Sequence, residues 1–262
     1  MSQLTLGVVG IGHFGTALIK GIFNTTNHID IVITKRGGEN FIDPQLKVVE
    51  DIEDMKEISD AIVLCIRPQD MNEVIEEFSD YEGLLITFAA GLPLRYYESK
   101  APQISIIRAM SNIAIEYKEG LIAWVKNNNC KLEDDILFHN IFTQVAHLLE
   151  YEREHESALD TITAISGSGI AYLAQIFNTI KEVGMQQGLS DGDSELIIEK
   201  TVRGVLALKE NTGLKLEEIV NKVASKGGTT EVGIASMKHM GMEKALSTGL
   251  KDTIVKCRKF RP

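Results

Sequence analysis

The sequence predicts an α/β fold, a doubly wound parallel sheet followed by an all-helical region. Short β-rich runs alternate with amphipathic helical segments through the first half. A glycine-rich turn joins the first such run to the first helix. Near residues 150–160 the pattern changes to long helical periods, and β-rich runs nearly vanish. These features place one domain at 1–157 and a second at 158–262.

The elements follow in order. "LTLGVVG" (4–10) reads as a strand, and after the glycine turn "GTALIKGIF" (15–23) carries the 3.6-residue period of a helix. "HIDIVIT" (28–34) and "DAIVLCI" (60–66) are further strands, "NEVIEEF" (72–78) is helical, and "GLLITFA" (83–89) is a strand again. Strands separated by helices imply parallel pairing through right-handed crossovers. "NNNC" (127–130) reads as a polar turn. Beyond Thr161, "IAYLAQIFNTIKEVGMQQG" (170–188) and "DSELIIEKTVRGVLALKENTG" (193–213) are long helices, and there is no internal repeat or low-complexity linker. Their apolar residues are spread around the circumference, more than one small bundle can hide from water, which predicts an obligate homodimer or a larger assembly of dimers.

Composition narrows the function classes. With 27 Lys and Arg against 37 Asp and Glu the formal charge is −10, so broad attraction to nucleic acid or to an anionic membrane is not expected. Any phosphate site must be local. Cys65, Cys130 and Cys257 are odd in number and widely spaced, which fits a reducing compartment and predicts a cytoplasmic protein. The opening "MSQLTLGVVGIG" has no basic region and no long apolar span, so neither a secretory signal nor a membrane helix is expected. The histidines match no metal-ligand spacing, and no metal is expected. His139 and His147, eight apart in a helical pattern, read as packing residues.

The chemistry begins at "GVVGIGHFGTA". Gly10, Gly12 and Gly15, with His13 and Phe14 between them, form G-x-G-x-x-G directly after a strand and at the start of a helix. That context identifies a Rossmann-type dinucleotide site: one glycine turns the chain, one admits a pyrophosphate, and one packs helix on strand. The second strand ends in Thr34-Lys35-Arg36-Gly37. Where NAD(H) sites place a carboxylate for the ribose hydroxyl, this chain has two cations, which favours the 2′-phosphate of NADP(H); a solvated basic turn is the alternative. "CIRPQ" puts Ile66, Arg67 and Pro68 at a strand's carboxyl end, where ligands bind in open α/β folds. "AAG" puts Ala89, Ala90 and Gly91 at another, as small residues beside a nicotinamide or as a plain strand-to-turn junction. In "ISGSGIAYL", Ser166 or Ser168 is suited to cap a helix start.

These segments, with "IIRAMSNIA" and "VASKGGTTEVG", occur in the order and spacing of pyrroline-5-carboxylate reductases, and the chain resembles that family over nearly its whole length. The pair S-G-S-G-x-A-Y and S-x-G-G-T-T is far more specific than the glycine fingerprint. The resemblance implies NAD(P)H-dependent reduction of the C=N bond of 1-pyrroline-5-carboxylate to L-proline, with a helical domain that pairs with a second subunit. It implies that Asn112 joins the cofactor site. The substrate carboxylate would be received by Ser225, Gly227, Gly228, Thr229 and Thr230, with Thr230 nearest the ring nitrogen as the catalytic group. An N-capping loop that merely starts a helix is the alternative for those residues. The chain departs from the family's prolines at Ser111, Ile170 and Lys226. A paralogue with the same fold and nucleotide site, serving another imine or a regulatory, competence-like role, is the alternative to an active reductase; retention of the S-x-G-G-T-T residues favours the enzyme.

Overall fold

A computed structural model describes residues 4–26, 28–34 and 43–261. The chain forms two compact units: residues up to Ser168 together with those from Lys251 onward, and Gly169–Leu250.

The first unit is built on β1 (Leu4–Val9), β2 (Ile29–Thr34), β3 (Leu46–Val49), β4 (Ala61–Leu64), β5 (Leu84–Thr87), β6 (Ser105–Met110), β7 (Gly120–Lys126) and β8 (Ala146–Glu150). They hydrogen-bond in the order β3-β2-β1-β4-β5-β6-β7-β8. Helices α1 (His13–Phe23), α2 (Ile52–Ile58), α3 (Met71–Ile75), α4 (Leu94–Lys100), α5 (Leu132–Phe142) and α6 (Ala158–Ile162) connect or cover them. Because side chains alternate along a strand, each inner strand feeds two cores. Leu6, Val8, Ile31 and Ile33 pack with Leu18 and Ile22 of α1 and Phe138 of α5. Val9, Val32, Ile62 and Leu64 pack with Met55 of α2, Met71 of α3 and Tyr97 of α4. Burial on both faces explains why β4 and β5 read as continuous apolar runs.

The strands β1 to β6 pair in parallel, as expected. Strand β7 is antiparallel to β6. Residues 111–119 carry only a 3₁₀ turn, Ile113–Tyr117, closed by Lys118 at φ 63°, which is too short for the crossover a parallel return needs. Asn127 in the polar turn after β7 is buried, and its amide bridges Ile106 N–H and the Ile104 carbonyl, so it pins β7 to β6.

Two expectations are corrected. His139 and His147 are both exposed, the first on α5 with its ring edge-on to Trp124, the second on strand β8, so they share no helical face. The segment "ISGSGIAYL" does not start a capped helix. α6 runs into a π-helical turn, Thr163–Gly167, in which Ser168 N–H donates to the Thr163 carbonyl at 2.9 Å, and then into α7 (Gly169–Gln186). An extra residue in the helix, not a serine cap, accommodates the two glycines.

The second unit is helical: α7, α8 (Asp191–Thr212), α9 (Leu216–Val223), α10 (Thr229–His239) and most of α11 (Met242–Arg258). Ser190 caps α8 by accepting from Asp193 N–H, and Gly213, at φ 69°, ends it. Leu173, Ile180, Leu196, Leu206, Val223 and Val232 are all more than half exposed on these helices. No helix among the described residues is long and apolar enough to cross a membrane.

Candidate active site

The glycine turn shows three different constraints. Gly10 has φ +95°, and a side chain there would lie 2.8 Å from the Cys65 carbonyl oxygen. At Gly15 a Cβ would lie 2.1 Å from the Gly10 carbonyl oxygen, so the helix rests directly on the turn. A Cβ added at Gly12 would meet nothing within 4 Å. Gly12 is also the N-cap of α1, with no side-chain cap and no acidic residue in the first turn. The amides that begin α1 therefore face open space with their positive pole uncompensated, as a pyrophosphate requires. His13 stands exposed beside them.

The other expected cofactor residues lie at the carboxyl ends of β4, β5 and β6. Ile66 and Arg67 follow β4, and Pro68 occupies the first position of a 3₁₀ turn. Arg67 is exposed and donates from Nε to Asp70 Oδ2 at 2.8 Å, a pairing that raises the pKa of its guanidinium. Ala89, Ala90 and Gly91 follow β5. Gly91 is in the left-handed region, and a Cβ on it would meet the Cys257 carbonyl oxygen at 2.1 Å, so the end of α11 lies against this turn. Asn112 follows β6; its Oδ1 accepts from Ala114 N–H and its Nδ2 donates to Ser166 Oγ at 2.8 Å. The ends of β5 and β6 border a cavity of about 210 Å³, walled by Phe14, Phe88, Ala90, Met110 and Gly167, with Ser111 and Asn112 also lining it; Ile66, Arg67 and Pro68 at the end of β4 do not line it. The rings of Phe14 and Phe88 are 4.7 Å apart. Burial pushes the Cys65 thiol well up, so it is no nucleophile at neutral pH. Lys35 and Arg36 lie outside the described residues.

A charge cluster that sequence reasoning missed supports the same region. Arg108 of β6 is buried and donates to Glu156 Oε1 and Asp160 Oδ1, both at 2.9 Å. Burial works to lower its pKa, but the two carboxylates outweigh it and the guanidinium is held above its ordinary value. Asp160, itself fully buried, also accepts from Arg261 and lies 3.5 Å from Arg258 Nε. Glu156 accepts from Leu94 N–H at 2.7 Å. These bonds tie the chain's last turn to β6 and α6, and so hold Cys257 against Gly91.

In the helical unit, "SKGGTT" joins α9 to α10. Gly227 has φ +74° and Gly228 is the N-cap of α10. Both glycine amides already have partners: Gly227 N–H donates to Glu231 Oε2 at 2.6 Å, and Gly228 N–H to the Ser225 carbonyl at 2.9 Å. A Cβ on Gly228 would lie 2.6 Å from Ser225 Oγ, which accounts for that glycine. The donors left at this pole are the amides of Thr229, Thr230 and Glu231, in the first turn of α10, where the Glu231 carboxylate also stands. Thr230 is half-buried, and Lys226 is exposed.

Residues 156–260 match the family described as pyrroline-5-carboxylate reductase dimerisation. That stretch is thus similar to the dimerisation region of pyrroline-5-carboxylate reductases. Residues 5–91 match the description "NADP oxidoreductase coenzyme F420-dependent". A pyrroline-5-carboxylate reductase of Aquifex aeolicus is 25% identical over 261 residues, covering 98% of this chain and 97% of its own length. The fold is that of the Plasmodium falciparum pyrroline carboxylate reductase solved with NADP bound, at TM-score 0.91, 24% identity and 99% of each chain. It is also that of the Streptococcus pyogenes reductase, at TM-score 0.90, 20% identity, and 99% and 100% of the two chains. Residues 156–260 thus match a dimerisation domain, and the uncovered helical faces in this stretch are what such a domain would bury against a second copy.

Proposed function

We propose that this chain reduces 1-pyrroline-5-carboxylate to L-proline with NADPH, as a cytoplasmic homodimer or an assembly of dimers. The observation that carries the reading is the open phosphate cradle at Gly12 in a chain that also holds the reductase dimerisation domain. The cradle fits the cofactor: Gly12 leaves room for a pyrophosphate and the α1 amides supply donors, while the cavity beyond Phe14 is apolar and small. Lys35 and Arg36 would hold the 2′-phosphate, and the ends of β4, β5 and β6 would line the nicotinamide half. NADPH, when bound, supplies the hydride for the imine carbon.

The protein's share is alignment, charge placement and exclusion of water. The amides of Thr229 and Thr230 would hold the substrate carboxylate at the positive pole of α10, with Ser225 Oγ beside them. Thr230 Oγ1 would donate to the ring nitrogen, which becomes an amine during the reaction and needs a proton. Such a hydroxyl needs no shifted pKa, because it donates a hydrogen bond or passes on a solvent proton. The buried, ion-paired end of α11 would keep the Ala89–Gly91 turn rigid.

The test is NADPH oxidation by the purified protein with 1-pyrroline-5-carboxylate, with proline measured as product. Equimolar proline and NADP⁺ support the reading. NADPH binding without turnover would leave a nucleotide-binding paralogue.

A further inference from the structure

The buried cluster of Arg108, Glu156, Asp160 and Arg261 balances its charge only with the end of the chain in place. Arg108 lies 2.9 Å from both Glu156 and Asp160, and one guanidinium between two carboxylates leaves one negative charge over. Arg261 meets that charge by donating to Asp160. Arg258, half-exposed, stands farther off, with its Nε 3.5 Å from the same carboxylate. Such a cluster is a poor source of stability, because burying the charges costs about what their attraction returns. Here Arg108 Nε and Arg261 Nε also stay buried without a partner among the described residues. What the cluster does supply is a fixed arrangement.

What it arranges is the loop between β5 and α4. Glu156 accepts from Leu94 N–H at 2.7 Å and so holds the loop's far end. At the near end Ala89 N–H donates to Thr87 Oγ1 at 3.3 Å. Between them Gly91, at φ +81°, rests on the chain's last turn: a Cβ there would lie 2.1 Å from the Cys257 carbonyl oxygen and 3.2 Å from Phe260 Cβ. The same carbonyl accepts from Phe260 N–H at 3.1 Å, and the Cys257 thiol lies 3.8 Å from Asp160 Oδ1. Only a residue without a side chain admits this approach, so slack in the last turn passes directly to Ala89–Gly91. Arg108 is the hub: one of its acids holds the loop, and the other holds the turn on which the loop rests.

We infer that Arg261 is a positioning residue for the cofactor: by neutralising Asp160 it docks the last turn of the chain on Gly91 and so sets the Ala89–Gly91 turn against the nicotinamide ring. The inference rests on the reading of the β5 end as part of the nicotinamide half of the site, and the experiment separates the two. The unmodified protein, Arg261→Ala, Arg261→Lys and Ala90→Leu are titrated with NADPH and with 2′-phospho-ADP-ribose, which lacks the ring. Ala90→Leu narrows the cavity directly and tests the reading: if it treats both ligands alike, the ring lies elsewhere and the reading falls, and the inference with it. If it weakens NADPH alone, Arg261→Ala should also weaken NADPH, about fivefold for a coupling carried through packed neighbours, with the ringless fragment held within about twofold. Arg261→Lys, which restores the charge, should recover most of that loss. Should Arg261→Ala not fold, Arg261→Gln, which keeps a donor without the charge, should show the same preference in its loss. A merely structural role would lower the Tm and leave the two ligands equally affected. Unchanged NADPH affinity in the Arg261 variants, or an equal loss for both ligands, would overturn the inference.

Discussion

Replacing Gly12 by alanine separates folding from cofactor binding. Gly12 has φ −80° and ψ −168°, open to any residue, and a Cβ there meets nothing within 4 Å. The unliganded protein should therefore keep its stability or gain ~0.4–1 kcal/mol from a stiffer unfolded chain. The added methyl group fills the space a phosphate must enter to reach the α1 amides. Losing two charge-assisted hydrogen bonds, at ~1.5 kcal/mol each, removes ~3 kcal/mol of binding, roughly a hundredfold in Kd. Fluorescence titration with NADPH and a thermal melt read the two quantities on one sample. Gly15→Ala is the contrast: its Cβ would sit 2.1 Å from the Gly10 carbonyl oxygen, so it should cost ~1–3 kcal/mol of stability. A Gly12→Ala protein that binds NADPH normally, or that melts far below the unmodified one, would refute the account of this turn.

Other consequences can be measured separately. Asp160→Ala leaves the buried Arg108 without one of its two carboxylates and should cost ~3–5 kcal/mol in chemical denaturation; a loss under 1 kcal/mol would show that the cluster is relaxed by water. Thr230→Ala should lower kcat/KM for the imine at least tenfold while NADPH affinity stays within twofold, and unaltered turnover would make the loop a helix cap only. The half-exposed Leu196 and Leu206 predict that sedimentation finds no folded monomer at micromolar concentration; a stable monomer would contradict the buried dimer face. Replacing both Lys35 and Arg36 by alanine should erase a preference for NADPH over NADH, and equal affinities in the unmodified protein would remove the 2′-phosphate assignment.

The parts of the fold legible in the sequence were those with a local signature. The apolar β-rich runs of β1, β2, β4 and β5 and the 3.6-residue period of α1, α7 and α8 are local signals, and the observed bounds fall within a few residues of the expected ones. Strand β8, "AHLLE", is a largely exposed edge with no clean alternation, and β3 is a short edge strand whose apolar residues are half exposed. Strand β6 carries Arg108 in mid-run, a charge that reads as surface until Glu156 and Asp160 are folded onto it. The glycine turn was readable because its three glycines stand at a fixed spacing between a strand and a helix, although Gly10 is crowded by the remote Cys65 and only Gly15 meets its own loop. The orphan hydroxyl of Ser111 and the contact of Cys257 with Gly91 were not, since both depend on segments remote in sequence. The anion loop was readable in kind but not in detail: "SKGGTT" marks a helix N-terminus, yet only the structure gives the Gly227 amide to Glu231 and leaves the amides of Thr229, Thr230 and Glu231 as donors.

The central claim is that this chain moves a hydride from NADPH to the imine carbon of 1-pyrroline-5-carboxylate. NADPH deuterated at C4 of the nicotinamide, in each stereoisomer separately, is mixed with enzyme and substrate, and the proline formed is analysed by mass spectrometry and NMR. One stereoisomer should place a single deuterium at C5 of L-proline and the other none, because a ring held in one orientation presents one face. Proline carrying no label from either stereoisomer, or no proline at all from a protein that binds NADPH, would contradict the account.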